Sequence, residues 1–166
     1  MIEIESRELP DIPVLHAYPV GQKDTPLPCV IFYHGFTSSS LVYSYFAVAL
    51  AQAGLRVIMP DAPDHGSRFS SDEARRLNQF WQILLQSMQE FTTLRAAIAE
   101  ENWLRDDRLA VGGASMGAMT ALGITARHPT IKCIASMMGS GYFTSLARSL
   151  FQPLIPETAA QQNERS

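Results

Sequence analysis

Apolar residues along this 166-residue chain change spacing several times, and each change marks an element. Residues 2 to 8 and 13 to 20 alternate loosely between apolar and polar and are separated by "PDIP", which predicts two short half-buried strands in an antiparallel hairpin. "PCVIFYHG" is instead a continuous apolar run between prolines and a glycine, as expected of a central strand covered on both faces. From Leu41 to Ala53 the spacing becomes helical, through Val42, Tyr45, Phe46, Ala49, Leu50 and Ala53, and Gly54 stands where a left-handed C-terminal residue is wanted. A second buried strand, "LRVIMP", follows.

From Asp72 to Trp103 the residues Leu77, Phe80, Trp81, Leu84, Leu85, Met88, Phe91, Leu94 and Ile98 recur with a period near 3.6, which predicts one long helix. "RLAVGG" predicts a third buried strand, Ser115 to about Arg127 a third helix, and "IKCIASMMG" a fourth buried strand. After Gly141, "YFTSLARSLFQPLIPE" has the pattern of a short amphipathic helix, and "TAAQQNERS" is a polar tail. Apolar strands alternating with helices imply parallel pairing and right-handed crossovers, hence a doubly wound, mostly parallel α/β sheet. The expected division is a core over residues 1–150, with 151–166 either the start of a cap insertion or a tail.

Composition narrows the function. The length suits one domain with a sizeable core. The formal net charge is -3, from 13 basic and 16 acidic residues without strong clustering, so no basic face is available for nucleic acid or an anionic membrane. A small molecule is the expected partner. No apolar run reaches the roughly 18 residues of a membrane span, and "MIEIESRELP" lacks the basic-then-apolar order of a signal peptide, so a cytoplasmic protein is expected. Cys29 and Cys133 sit in apolar runs without metal-site spacing and read as buried free thiols; no metal or organic cofactor is implied.

The candidate chemistry lies in Gly113-Ala114-Ser115-Met116-Gly117, a Gly-x-Ser-x-Gly pattern between a predicted strand and a predicted helix. A chain of this length shows the bare pattern by accident with a probability of about 0.05, and the strand-to-helix context lowers that further. A serine on so tight a turn is pushed out at the carboxyl edge of the sheet, and glycines two residues away leave room for the adjoining elements. Backbone N–H groups could receive the oxyanion formed when a carbonyl is attacked. Met116 N–H is one candidate. Phe36 N–H is the second, in the loop His34-Gly35-Phe36 that follows "CVIFY".

These motifs resemble those of the α/β-hydrolase superfamily, and within it the small bacterial carboxylesterases related to dienelactone hydrolase and the prolyl-oligopeptidase-like esterases. "HGF", "MPDAPDHGSR" and "GGASMG" occur in the family's order, and the resemblance covers nearly all of residues 1 to 150. It implies that Ser115 is the nucleophile, that Met116 and Phe36 supply the oxyanion donors, and that His34, Gly35, Gly113 and Gly117 shape the site. Asp61 and His65 of "DAPDHGSR" invite a triad assignment, but the family's equivalent turn is structural.

The family's triad runs Ser, then Asp or Glu, then His, with the base after the eighth strand. Here no histidine follows His128, which the helix beginning at Ser115 carries away, and His16, His34 and His65 all precede the serine. The chain therefore reads as the first two-thirds of an esterase, truncated after its sixth strand. That strand, near Ile131 to Met137, would form an exposed sheet edge prone to self-association. The expected function is hydrolysis of short acyl or aryl carboxylic esters through an acyl-serine intermediate. The alternative is a catalytically inactive hydrolase-fold fragment acting at most as a binding or assembly module.

Overall fold

The continuous apolar runs become the middle of a sheet, because only a strand covered on both faces can bury every residue. A computed structural model describes residues 1–136. The strands are β1 (Ile2–Glu8), β2 (Pro13–Pro19), β3 (Leu27–Tyr33), β4 (Arg56–Pro60), β5 (Leu104–Ala114) and β6 (Lys132–Ser136), in the spatial order β1-β2-β4-β3-β5-β6. The expected hairpin pairs β1 with β2 antiparallel, and β2 joins β4 in the same sense. β4, β3, β5 and β6 run parallel. This is the mixed, mostly parallel α/β sheet that the spacing predicts.

Alternation along β3 divides the core. Cys29, Ile31 and Tyr33 face one side, where they pack with Phe91, Leu94 and Ile98 of α3 (Phe80–Glu100) and with Ala121 and Ile124 of α4 (Met116–Arg127). Val30 and Phe32 face the other, against Phe46, Ala47, Leu50 and Ala51 of α1 (Ser44–Gln52). Each fully buried side chain such as Ile31, Ile58 or Met59 contributes about 1.5–3 kcal/mol.

Two helices depart from expectation. The first begins at Ser44 rather than Leu41 and its inward face is rotated: Phe46 and Leu50 are buried as expected, but Val42 and Tyr45 are exposed, while Ala47 and Ala51 are buried. Small residues let the helix sit close on β2 and β4, which the count of large apolar residues overlooks. Gly54 does adopt the left-handed conformation, with φ of 97°.

The long helix is two. α2 (Glu73–Asn78), capped by Asp72 accepting from Arg75 N–H at 3.0 Å, is separated from α3 at Gln79. The stripe was also too wide to bury: Ile83, Leu84, Phe91, Leu94 and Ile98 point inward, whereas Leu77, Trp81 and Leu85 are exposed. α3 stops short of Trp103, at Glu100, and Asn102 takes the left-handed conformation just beyond it. Both cysteines are free thiols; Cys29 is buried, but Cys133 on strand β6 is only half-buried. The helix expected after Gly141, the end of the sixth strand, the boundary at residue 150 and the polar tail lie outside the described residues. Among the described residues no helix is long and apolar enough to cross a membrane.

Candidate functional site

Ser115 occupies the single residue between β5 and α4, with φ of 57° and ψ of -118°. An L-residue held there carries about 1–3 kcal/mol of backbone strain, sustained by the packing on either side. The result is an exposed serine at the carboxyl end of a buried strand. Met116 opens α4, so its N–H belongs to the first turn, whose donors have no acceptor within the helix.

The glycines of the box are required by close approach. A Cβ on Gly117 would lie 2.5 Å from the Tyr33 carbonyl carbon and 2.7 Å from the His34 carbonyl oxygen. One on Gly113 would lie 2.8 Å from the Ala118 nitrogen. α4 thus rests directly on the end of β3, and the loop leaving β3 is brought beside the serine. At Gly35 a Cβ would stand 3.5 Å from both Ser115 Cβ and the Ala114 oxygen, and 3.1 Å from the Tyr43 hydroxyl. Phe36 is the next residue along that loop.

His34 and His65 are buried and tie two loops together reciprocally. His34, after β3, accepts the Ala62 N–H at Nε2 (3.0 Å) and its Nδ1 donates to the Gly35 carbonyl (2.8 Å). His65, after β4, accepts the Thr37 N–H at Nε2 (2.9 Å) and its Nδ1 donates to the Pro63 carbonyl (2.9 Å). Asp61 adds a third tie by accepting the Ser40 N–H at 2.9 Å and, on its other oxygen, the Ser67 hydroxyl at 3.1 Å. Gly66 is needed next to His65 because its φ is 55° and a Cβ would press on the Asp61 carboxylate, 2.5 Å from its carbon. Arg68 closes the turn with paired 2.9 Å bonds to Glu90.

Burial pushes His34 down to about 4 and His65 below the ordinary histidine range. Both are neutral at pH 7, and their one lone pair already holds a backbone amide. His128 caps the far end of α4, against Phe91, about 18 Å away by helix rise. His16 lies in β2, bonded to Glu5 and Arg56. Among the described residues, therefore, no histidine stands beside Ser115 with a free lone pair, as the order of histidines along the sequence anticipates.

The structure brings together Ser115, Met116, Gly113, Gly117, Gly35 and the loop carrying His34 and Phe36. It also adds residues that the sequence reading passed over. Tyr43 reaches the site from just before α1, and Phe80 and Met119 pack with Phe36 against Ile83, Leu84 and Met116. Met119 stands one helical turn after the serine, a spacing the sequence shows, but no spacing rule links Tyr43 or Phe80 to it; only the folded order of the elements does.

The family model for "Serine aminopeptidase, S33" matches residues 24–164. The chain belongs to this α/β-hydrolase family. It is 95% identical over 164 residues to Esterase YjfP of Escherichia coli (strain K12), an alignment covering 99% of this chain and 66% of that protein. The chain thus spans about two thirds of the length of that relative. Among solved structures it superposes on TT1662 from Thermus thermophilus with a TM-score of 0.66 at 19% identity, over 90% of this chain and 67% of that one. A cold-adapted esterase from an Arctic intertidal metagenomic library gives 0.61 at 23% identity, over 83% and 61%. Both likenesses concern the fold.

Proposed function

We propose that this chain carries the nucleophile and the oxyanion donors of a serine esterase acting on small carboxylic esters. Ser115 Oγ attacks the ester carbonyl, the negative charge that develops on the carbonyl oxygen is received by Met116 N–H and Phe36 N–H, and the alcohol leaves as an acyl-serine forms. Water then attacks the acyl carbon, and the acid departs with Ser115 restored. The observation that carries this reading is the strained, exposed Ser115 between β5 and α4, with Gly35 packed beside it. The name of the 95% identical relative, an esterase, supports the reaction class.

A serine hydroxyl without a base is a weak nucleophile. Because His34 and His65 spend their lone pairs on amides, the base must come from elsewhere, and the family resemblance puts acid and base after strands later than β6. The same observation favours a second reading, in which residues 1–166 alone bind but scarcely turn over. Loss of triad members leaves only a residual acceleration of roughly 10³ to 10⁴ over water in serine hydrolases.

The test is p-nitrophenyl acetate hydrolysis by residues 1–166 and by an extended chain, in which they are continued with the remaining third of the 95% identical relative. Turnover by the extended chain is expected to disappear in Ser115→Ala, and a fluorophosphonate is expected to add its mass at Ser115. Undiminished turnover in Ser115→Ala would remove the assignment. Residues 1–166 turning over as fast as the extended chain would show that the base lies within these residues after all, and loss of that turnover on replacing the four histidines would make it one of them.

A further inference from the structure

Between Arg76 and Glu90 the chain reads "LNQFWQILLQSMQ", thirteen residues without one charge in a protein that is 17% charged. This stretch holds the end of α2 and the start of α3, and it presents aromatic rings toward the site. Phe80 meets Phe36 edge-on, with ring centres 5.0 Å apart, and Trp81 meets Phe80 edge-on, also at 5.0 Å. Phe36 and Phe80 are half-buried and pack with Met119 against Met116, the residue after Ser115. Trp81 at the outer end is 62% exposed, and Leu77, one turn before it, is 66% exposed.

The rings therefore form a continuous apolar path from the surface to the residues flanking Ser115. Two of the nearby cations are engaged, Arg68 with Glu90 and the Arg76 guanidinium over the Phe69 ring at 4.0 Å, and Arg75 lies exposed on α2 outside the uncharged stretch. A surface that is apolar and already arranged edge-to-face suits one kind of guest. Another aromatic ring can continue the same packing, whereas a charged group would lose hydration against the rings.

We propose that Phe36, Phe80, Trp81 and Met119 form the wall that receives a neutral aryl group of the ester, on its acyl or its alcohol side. The wall rests on the reading of Ser115 as the nucleophile only in where it places the ester bond. An aryl ester binds with its ring against the row Phe36, Phe80 and Trp81 and its carbonyl at Ser115; a small alkyl ester leaves the wall uncovered.

The experiment compares kcat/KM for benzyl acetate (ring on the alcohol) and methyl phenylacetate (ring on the acid), each divided by that for methyl acetate, in the extended chain used above. For at least one of the two, Trp81→Ala is expected to lower the ratio about tenfold, the scale of one lost aromatic contact with its burial. Val20→Ala, an exposed apolar change just after β2 at the opposite end of the sheet, is expected to leave both ratios within twofold. Both ratios unchanged in Trp81→Ala would overturn the wall. Because Trp81 is one of two tryptophans in residues 1–166 and the other, Trp103, is buried, binding to this chain can also be read without catalysis. In residues 1–166 carrying Ser115→Ala, 2-naphthyl acetate is expected to quench tryptophan emission saturably, and the quench is expected to vanish when Trp81→Phe is added. No saturable quench, or a Trp81 that acrylamide cannot reach because the protein's own chain covers it, would also overturn the proposal. A saturable quench in a Ser115→Ala protein that still hydrolyses esters would leave the wall standing and remove the nucleophile assignment.

Discussion

The two ends of the sheet bury histidines for the same purpose by different means. At the carboxyl end, beside Ser115, His34 and His65 each accept a backbone amide from the other's loop and donate to a backbone carbonyl rather than to a charged side chain. At the opposite end, His16 accepts from the buried Arg56 guanidinium at 2.8 Å and bonds Glu5 at 3.2 Å, while stacking on Trp103 with ring centres 4.3 Å apart. Arg56 also donates to the Thr25 carbonyl at 2.6 Å and to the Trp103 carbonyl at 3.3 Å. One end is thus held by neutral hydrogen bonds and close backbone packing, the other by a desolvated cation. A histidine near a candidate nucleophile is consequently no evidence of a base: its lone pair must be traced first.

If close backbone packing defines the carboxyl end, the largest effect belongs to Gly117. Its Cβ would overlap backbone atoms of Tyr33 and His34, which no side-chain rotation can relieve. Gly117→Ala is expected to destabilise the fold by about 4 kcal/mol or more, seen as loss of cooperative urea unfolding. Gly35→Ala meets only ordinary contacts and the movable Tyr43 hydroxyl, so it is expected to remain folded. Equal effects at the two glycines would remove the distinction between scaffold and loop.

At the opposite end, Arg56→Ala leaves the His16 Nε2 lone pair and the Thr25 carbonyl without their donor, while the Trp103 and Gln22 carbonyls keep the Leu27 and Thr25 amides, and it opens a cavity where a fully buried side chain stood. A loss of about 2–5 kcal/mol is expected in the urea midpoint and slope. Arg56→Met, which keeps the volume, should lose less.

Much of this architecture was legible in the sequence because it depends on local rules. The apolar runs of β3, β4 and β5 admit no other burial, and Gly113 and Gly117 frame Ser115 whatever lies beyond. The break at Gln79 and the outward turn of Trp81 were not legible, because a stripe of period 3.6 records which residues could face a core, not how wide the core is. The pairing of His34 with Ala62 and of His65 with Thr37 was equally hidden: it joins loops 28 residues apart through atoms whose hydrogen-bonding roles only the fold assigns. The clue available beforehand was negative, namely that every histidine but His128 precedes the serine.

The pH dependence sharpens the histidine comparison. Burial holds His34 and His16 near a pKa of about 4, whereas the unfolded chain titrates them near 6.5. The unfolded state therefore binds more protons between these values, and stability present at pH 7 is lost as pH falls from about 6.5 toward 4. His34→Gln removes one such group. Between pH 7 and pH 5 its unfolding free energy is expected to fall by about 2 kcal/mol less than that of the unsubstituted chain. Parallel curves would mean that His34 takes up its proton as readily in the native state as in the unfolded chain, and the neutral-bond description of the carboxyl end would fail.

The smallest effect tests whether the buried cation, rather than the charges around it, holds the opposite end. Glu5 is approached by Lys23 at 3.1 Å and Arg7 at 3.6 Å, and Lys23 is nearly half exposed. Water and salt screen such a pair, and ordering a lysine side chain offsets much of what the contact contributes. Lys23→Gln is expected to change the unfolding free energy by about 0.5 kcal/mol or less, and the difference should shrink between 50 and 500 mM salt. Because Glu5 also receives the His16 Nδ1 proton, its bond into the core survives this change. A loss approaching that of Arg56→Ala would place the weight of this end on its rim, and the contrast between a desolvated cation below and neutral amide bonds above would no longer describe the molecule.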